Sequence, residues 1–195
     1  MLHDQAPGVD EQTRSRILDA GFSCAGRFGV GRTTMSDVAR EAGLSRQTLY
    51  RYFASKHDLI AALVMREDER LIEKVRVAAE PYEDLRPALE AAFLTCLQFF
   101  RNHPLLTRVM ASEPHELLPF LTVEGNPVID LGTRTMEEVL AQRLPNTSRF
   151  LIHRAAETCA RVLTSYAITP PVDSIEEVAA STADLFSHGL SKEAR

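Results

Sequence analysis

The stretch Thr33–Leu59, TTMSDVAREAGLSRQTLYRYFASKHDL, encodes two short helices joined by a glycine turn. Met35, Val38, Ala39 and Ala42 recur at i, i+3, i+4 and i+7, which gives the first helix one apolar face and leaves Ser36, Asp37, Arg40 and Glu41 in water. Gly43 ends that helix, because glycine tolerates the left-handed backbone of a sharp turn, and Leu44 beside it plugs the junction. Ser45 then offers a hydroxyl to the free amides of a second helix. In that helix Leu49 and Phe53 lie four apart and face inward, leaving Arg46, Gln47, Thr48, Tyr50, Arg51 and Tyr52 with side chains suited to nucleic acid. Thr34 with Asp37, and Ser55 with Asp58, repeat the pattern of a hydroxyl cap three residues before a carboxylate, so three helix starts are marked close together. The whole reads as a helix-turn-helix.

Within it, GLSRQTLYRYFASKHDL resembles the DNA-binding signature of the TetR family of bacterial transcriptional repressors, with TTMSDVAREA in the place of that family's preceding helix. The match covers about the first sixty residues. Family members usually carry histidine or tyrosine where Tyr52 stands and a small residue where Gln47 stands, so Gln47 is a point of departure that bears on base preference. The resemblance implies an all-helical dimer that binds a small molecule, without identifying that molecule, and it makes double-stranded operator DNA and a second copy of the chain the expected partners.

Composition is consistent with a soluble globular protein of one or two domains: 195 residues with 45% hydrophobic content supply a real core. The first ten residues hold no long apolar run and no later segment reaches membrane-spanning length, so neither a signal peptide nor a membrane partner is expected and the cytoplasm is the expected location. Cys24, Cys96 and Cys159 are widely spaced, odd in number and set in apolar helical patterns, and read as buried free thiols. The net charge of −5 divides unevenly. Residues 1–60 carry eight Lys or Arg against seven Asp or Glu, and residues 61–195 carry fourteen against twenty. From Arg27 to Asp58 the balance is six against three, so positive charge gathers on the helix-turn-helix while the acidic remainder disfavours wrong orientations on a polyanion.

A third helix over Glu11–Phe28, with Ile17, Ala20 or Gly21, Cys24 and Phe28 at helical spacing, closes the head, and the first ten residues are expected to fray. After Ser55 a long helix runs from Lys56 towards Ala79, where Pro81 stops it; Leu59, Ile60, Leu63, Val64, Leu71 and Val75 form its inner stripe. From Tyr82 onward every apolar stretch has helical period and prolines punctuate the chain. The expectation is an all-α fold of about nine helices: a three-helix DNA-binding head over residues 1–55 and a helical ligand-binding and dimerisation body over 56–195. The body helices are expected over Leu85–Asn102, Pro104–Ala111, a short segment in HELLPFLTV, Pro127–Arg143, Ser148–Ala167 and Asp173–His188.

In the helix from Ser148, Leu151, Ala155, Val162 and Tyr166 line one face and Ile152, Ala156, Leu163 and Ala167 a neighbouring one, so it needs two packing partners. The last helix adds Val178, Leu185 and Phe186. Periodicity leaves one intramolecular core and a dimer interface equally open; the resemblance implies a four-helix bundle between two copies, with Leu151, Ala155, Val162, Tyr166, Val178, Leu185 and Phe186 as candidate interface residues.

Two heads on a two-fold axis suit a palindrome. Arg46, Gln47 and Thr48 lie near the start of the recognition helix, where base edges are in reach, since arginine can bond guanine at two points and glutamine adenine. Tyr50, Tyr52 and Lys56, with Thr34 and Ser45 at helix starts, suit phosphates. Phe93, Cys96, Leu97, Phe100, Met110, Met136, Leu140 and Phe150 are candidates to line a small-molecule cavity, with His103, His115 and His153 as candidate polar contacts, although such apolar residues also serve as ordinary core. Each of these histidines reads first as a surface or helix-end residue, and no spacing suggests a metal site or a cofactor motif. Nucleophile-elbow, Walker and dinucleotide motifs are absent, which disfavours an enzyme; an adaptor on the same fold, or a DNA-binding protein that does not regulate, stays open.

Overall fold

Thr34, Ser45 and Ser55 each accept a hydrogen bond from the amide three residues on, at 3.2, 3.0 and 3.1 Å, and so begin three successive helices. In the computed structural model, which describes residues 7–193 and the side chains of 10–190, these are α2 (Met35–Glu41), α3 (Arg46–Tyr52) and α4 (Lys56–Ala79). Thr34 and Asp37 form a full capping box, worth about 1 kcal/mol. At the other end of α2, Gly43 has φ +64°, its amide donates to Arg40 and the Leu44 amide donates to Ala39 at 2.9 Å. These two bonds satisfy the last carbonyls of α2 and set the turn into α3.

Ahead of them, α1 spans Pro7–Phe28. Fraying is expected of residues 1–10; residues 1–6 lie outside the described residues, and from Pro7 the chain is helical. Ile17, Leu18, Ala20 and Cys24 of α1 close the head core against Met35, Val38, Ala39, Ala42, Leu49 and Phe53. Leu59 and Leu63 of α4 belong to the same core, so the head reaches past the expected boundary at Ser55.

Among the described residues the chain is all-helical, with ten α-helices and one 3-10 turn. The body comprises α5 (Leu85–Asn102), α6 (Pro104–Ser112), a 3-10 turn (Pro114–Glu116), the four-residue α7 (Leu118–Leu121), α8 (Asn126–Arg143), α9 (Arg149–Ile168) and α10 (Ile175–Glu193). Its core joins Leu71, Val75 and Ala79 of α4 to Leu89, Phe93 and Leu97 of α5, Leu140 of α8, Cys159 of α9 and Ala179 of α10. Each buried Leu or Phe contributes about 1.5–3 kcal/mol. The guanidinium of Arg143 fastens the far end of α4, donating to the Ala79 and Tyr82 carbonyls at 2.7 and 2.6 Å. The three cysteines are free and buried, as their apolar settings predict, and burial pushes the Cys96 thiol up to about 12. No described helix is long and apolar enough to cross a membrane.

Candidate DNA-reading face and internal cavity

The first turn of α3 stands in solvent. Leu49, fully buried, pins the helix to the head, which leaves Arg46, Gln47 and Tyr50 exposed on the opposite side. Neither the Arg46 nor the Gln47 side chain has a hydrogen bond or ion pair among the described residues, whereas Ser45 and Thr48 bond each other through their hydroxyls at 2.8 Å. Two basic residues of the head are neutralised on the surface, Arg27 by Glu41 at 2.5 Å and Arg40 by Asp37 at 2.6 Å. Beyond Arg14 and Arg16 of α1, the positive charge that remains lies on Arg32, Arg46, Arg51 and Lys56.

Other expected phosphate contacts have partners within the chain. The Thr34 hydroxyl donates to Asp37 at 2.5 Å, and the Tyr52 hydroxyl donates to Asp10 of α1 at 2.6 Å. The Lys56 ammonium donates to the Gly31 carbonyl at 2.8 Å, which bridges the start of α4 to the loop after α1. Sequence spacing shows which residues share a helix face and is blind to such bonds across dozens of positions.

Behind the head lies a cavity of about 160 Å³, walled mainly by apolar atoms of α4, α5, α6, α8 and α9. Of the eight apolar residues expected to line it, Cys96, Phe100 and Met136 do, and of the three histidines His103 does. Phe93, Leu97 and Leu140 do not: they are buried elsewhere in the body core, where Phe93 meets Phe186 at 5.8 Å between ring centroids. Met110 also lies off the cavity wall, Phe150 is 70% exposed, and His153 is exposed and bonded to Glu137 at 2.6 Å. The wall the sequence reading missed is α4 itself, through Leu59, Leu63, Val64, Asp68, Leu71 and Ile72. Its apolar stripe was legible as core, but a cavity is set by where non-local neighbours fail to meet.

His103 caps α6 by accepting from the Leu106 amide at 3.0 Å, and its other nitrogen faces Glu67 at 3.4 Å. Asp68, by contrast, keeps one carboxyl oxygen buried with no hydrogen-bond partner among the described residues. Loss of hydration, with Glu69 nearby, pushes its carboxyl up to about 7.

A polar clasp joins head to body beside this cavity. Glu113, just beyond α6, accepts from the Gly31 amide at 3.0 Å, and that bond holds its carboxyl below the usual range. Gly29, at φ +87°, makes room for the contact, since a Cβ there would sit 2.7 Å from a Glu113 oxygen. Arg108 of α6 donates to the Gly26 carbonyl, and His57 of α4 meets Glu124 at 2.9 Å.

Among the expected interface residues, Leu151, Ala155, Val162 and Tyr166 of α9 are half-buried, while Ile152, Ala156, Leu163 and Ala167 on the neighbouring face are buried inside the chain. On α10, Leu185 is 75% exposed, but Val178 is buried in the body core and Phe186 packs on Phe93. Those two face inward because α10 lies along α5.

Comparison with known proteins agrees with this geometry. Residues 17–63 match the model for bacterial regulatory proteins of the tetR family, and residues 84–188 match that for the bacterial tetracyclin repressor C-terminal domain. The HTH-type transcriptional regulator AlkX of Mycobacterium tuberculosis (strain ATCC 25618 / H37Rv) is 28% identical over 179 residues, covering 89% of this chain and 83% of its own. The repressor KstR of Rhodococcus jostii (strain RHA1) is 26% identical over 144 residues, covering 74% of this chain and 65% of its own. The crystal structure of the TetR family repressor AlkX from Dietzia sp. strain DQ12-45-1b, implicated in biodegradation of n-alkanes, superposes with a TM-score of 0.78 at 26% identity, over 92% of this chain and 98% of that one. With the head and more than half of the chain matched by the family's own domains, this protein belongs to the TetR family of bacterial transcriptional regulators, and its helix-turn-helix is the family's DNA-binding element.

Proposed function

We propose that the chain is a cytoplasmic, ligand-responsive repressor that binds a palindromic operator as a homodimer and is released by a small apolar or amphipathic effector. The observation that carries this reading is the double role of α4, whose Leu59 and Leu63 belong to the head core while Val64, Leu71 and Ile72 wall the cavity. A change in cavity shape thus reaches the recognition helix through one rigid element. An effector releases DNA only if it favours the geometry in which the two recognition helices no longer match successive major grooves.

On this reading Arg46, Gln47 and Thr48 read base edges, and Thr34, Ser45, Tyr50, Tyr52 and Lys56 lie along the phosphates. The half-buried face of α9 with Leu185 of α10 forms the two-fold interface. Residues 1–55, with Lys56 at the start of α4, then supply the DNA contacts and residues 56–195 the effector site and the interface, with α4 joining them. The similar AlkX repressor of Dietzia is implicated in biodegradation of n-alkanes, a setting in which an aliphatic effector fits.

Selection of bound sequences from a random duplex pool, using the full chain, tests the reading. Enrichment of an inverted repeat with half-sites about one helical turn apart, or a small multiple of it, is expected. Recovery of no preferred sequence, with affinity set by salt alone, would overturn it.

A further inference from the structure

The cavity wall carries several polar side chains, and nearly all have their bonding satisfied within the protein. The hydroxyls of Thr33, Thr135 and Thr164 donate to backbone carbonyls at 2.7, 3.2 and 2.9 Å. Glu67 is held by Arg70 at 2.8 Å and His103 at 3.4 Å, and Lys56 by the Gly31 carbonyl at 2.8 Å. Asp68 differs, for one of its carboxyl oxygens is buried without a partner while the side chain lines the cavity between apolar groups one turn before and after it, Val64 and Ile72. Across from it stands Cys96 of α5, a weak donor.

An unpaired carboxyl in such a place costs stability that a leucine would not. A ligand that brings a hydrogen-bond donor to it recovers that cost, and a ligand that brings an anion adds repulsion in a poorly hydrated space. Resting on the effector-site reading above, we propose that Asp68 selects the effector's polar end: an aliphatic molecule whose head donates a hydrogen bond, a hydroxyl or an ammonium, rather than a carboxylate or phosphate. The apolar body of the molecule then lies against Leu71, Phe99, Phe100 and Met136. An anionic head would instead be drawn to Lys56, about 18 Å away along the α4 axis.

Decylamine, decanol and decanoate have matched chains and differ in the head, and their binding to the full chain by calorimetry at pH 8 separates these cases. Decylamine and decanol should bind at least ~10-fold more tightly than decanoate. Asp68→Asn should bring decanoate to within about 3-fold of decanol, and Asp68→Leu should weaken decanol and decylamine together. Circular dichroism of each variant verifies the fold. Equal binding of all three probes, or tighter binding of decanoate, would overturn the assignment of Asp68 and leave the cavity as the effector site. Binding of none would overturn the assignment and the effector-site reading alike.

Discussion

Arg46 and Gln47 stand at the exposed start of α3 with no partner within the described chain, so their hydrogen-bonding capacity is free for DNA. Arg46→Ala or Gln47→Ala should each cost about 1–3 kcal/mol on the selected operator and relax preference at one position per half-site. Gel-shift titration on specific and random duplexes distinguishes this from a loss common to all sequences, which would reassign the two residues to phosphate. Asp68 gives a second expectation. Its carboxyl titrates at about 7 in the folded protein against an ordinary 3.8, with Glu69 beside it on α4 and Cys96 across on α5. Between those values the folded chain keeps a proton that the unfolded chain has lost, so this residue's contribution to stability falls as pH rises from about 4 to 7. Asp68→Asn should therefore stabilise the protein at pH 8 by on the order of 2–4 kcal/mol, with the gain vanishing towards pH 4. Thermal melts across that range decide it, and a gain independent of pH would mean that the carboxyl is not ionised at a cost.

The helices were largely legible in the sequence because the signals that start and stop them are local. Ser55 and Pro81 bracket α4, Ser45 opens α3, and Gly43 closes α2 at the positions expected. The clasp between head and body was not legible, since Glu113 and Gly31 are 82 positions apart, as are Arg108 and Gly26, and no periodicity relates them. Nor was the inward packing of Phe186, which depends on α10 lying along α5. Gly29 is where the clasp is most easily tested. Gly29→Ala places a Cβ 2.7 Å from a Glu113 oxygen at a backbone φ of +87°, and should destabilise the chain by about 1–3 kcal/mol in urea unfolding. Hydrogen exchange should report the loosening first at the Gly31 amide, which Glu113 holds. Unchanged stability and unchanged protection there would remove the clasp as a link between the two parts.

In the proposed homodimer, assembly rests on the face of α9 that the chain leaves half-exposed and on Leu185, which is 75% exposed. Val162→Arg with Leu185→Arg should yield a folded monomer, because two charges per subunit would otherwise be buried at the two-fold axis. Light scattering that still shows a dimer would place the interface elsewhere. On the proposed reading, the acidic body and the basic head make orientation on DNA a property of the full chain, and two heads on one axis would multiply modest half-site affinities through effective concentration. Comparing the affinity of the full chain for the selected palindrome with its affinity for a duplex carrying one half-site, at one salt concentration, tests this most directly. A homodimeric reader should lose about 10²–10⁴-fold on the single half-site. Equal affinity for the two duplexes would contradict it.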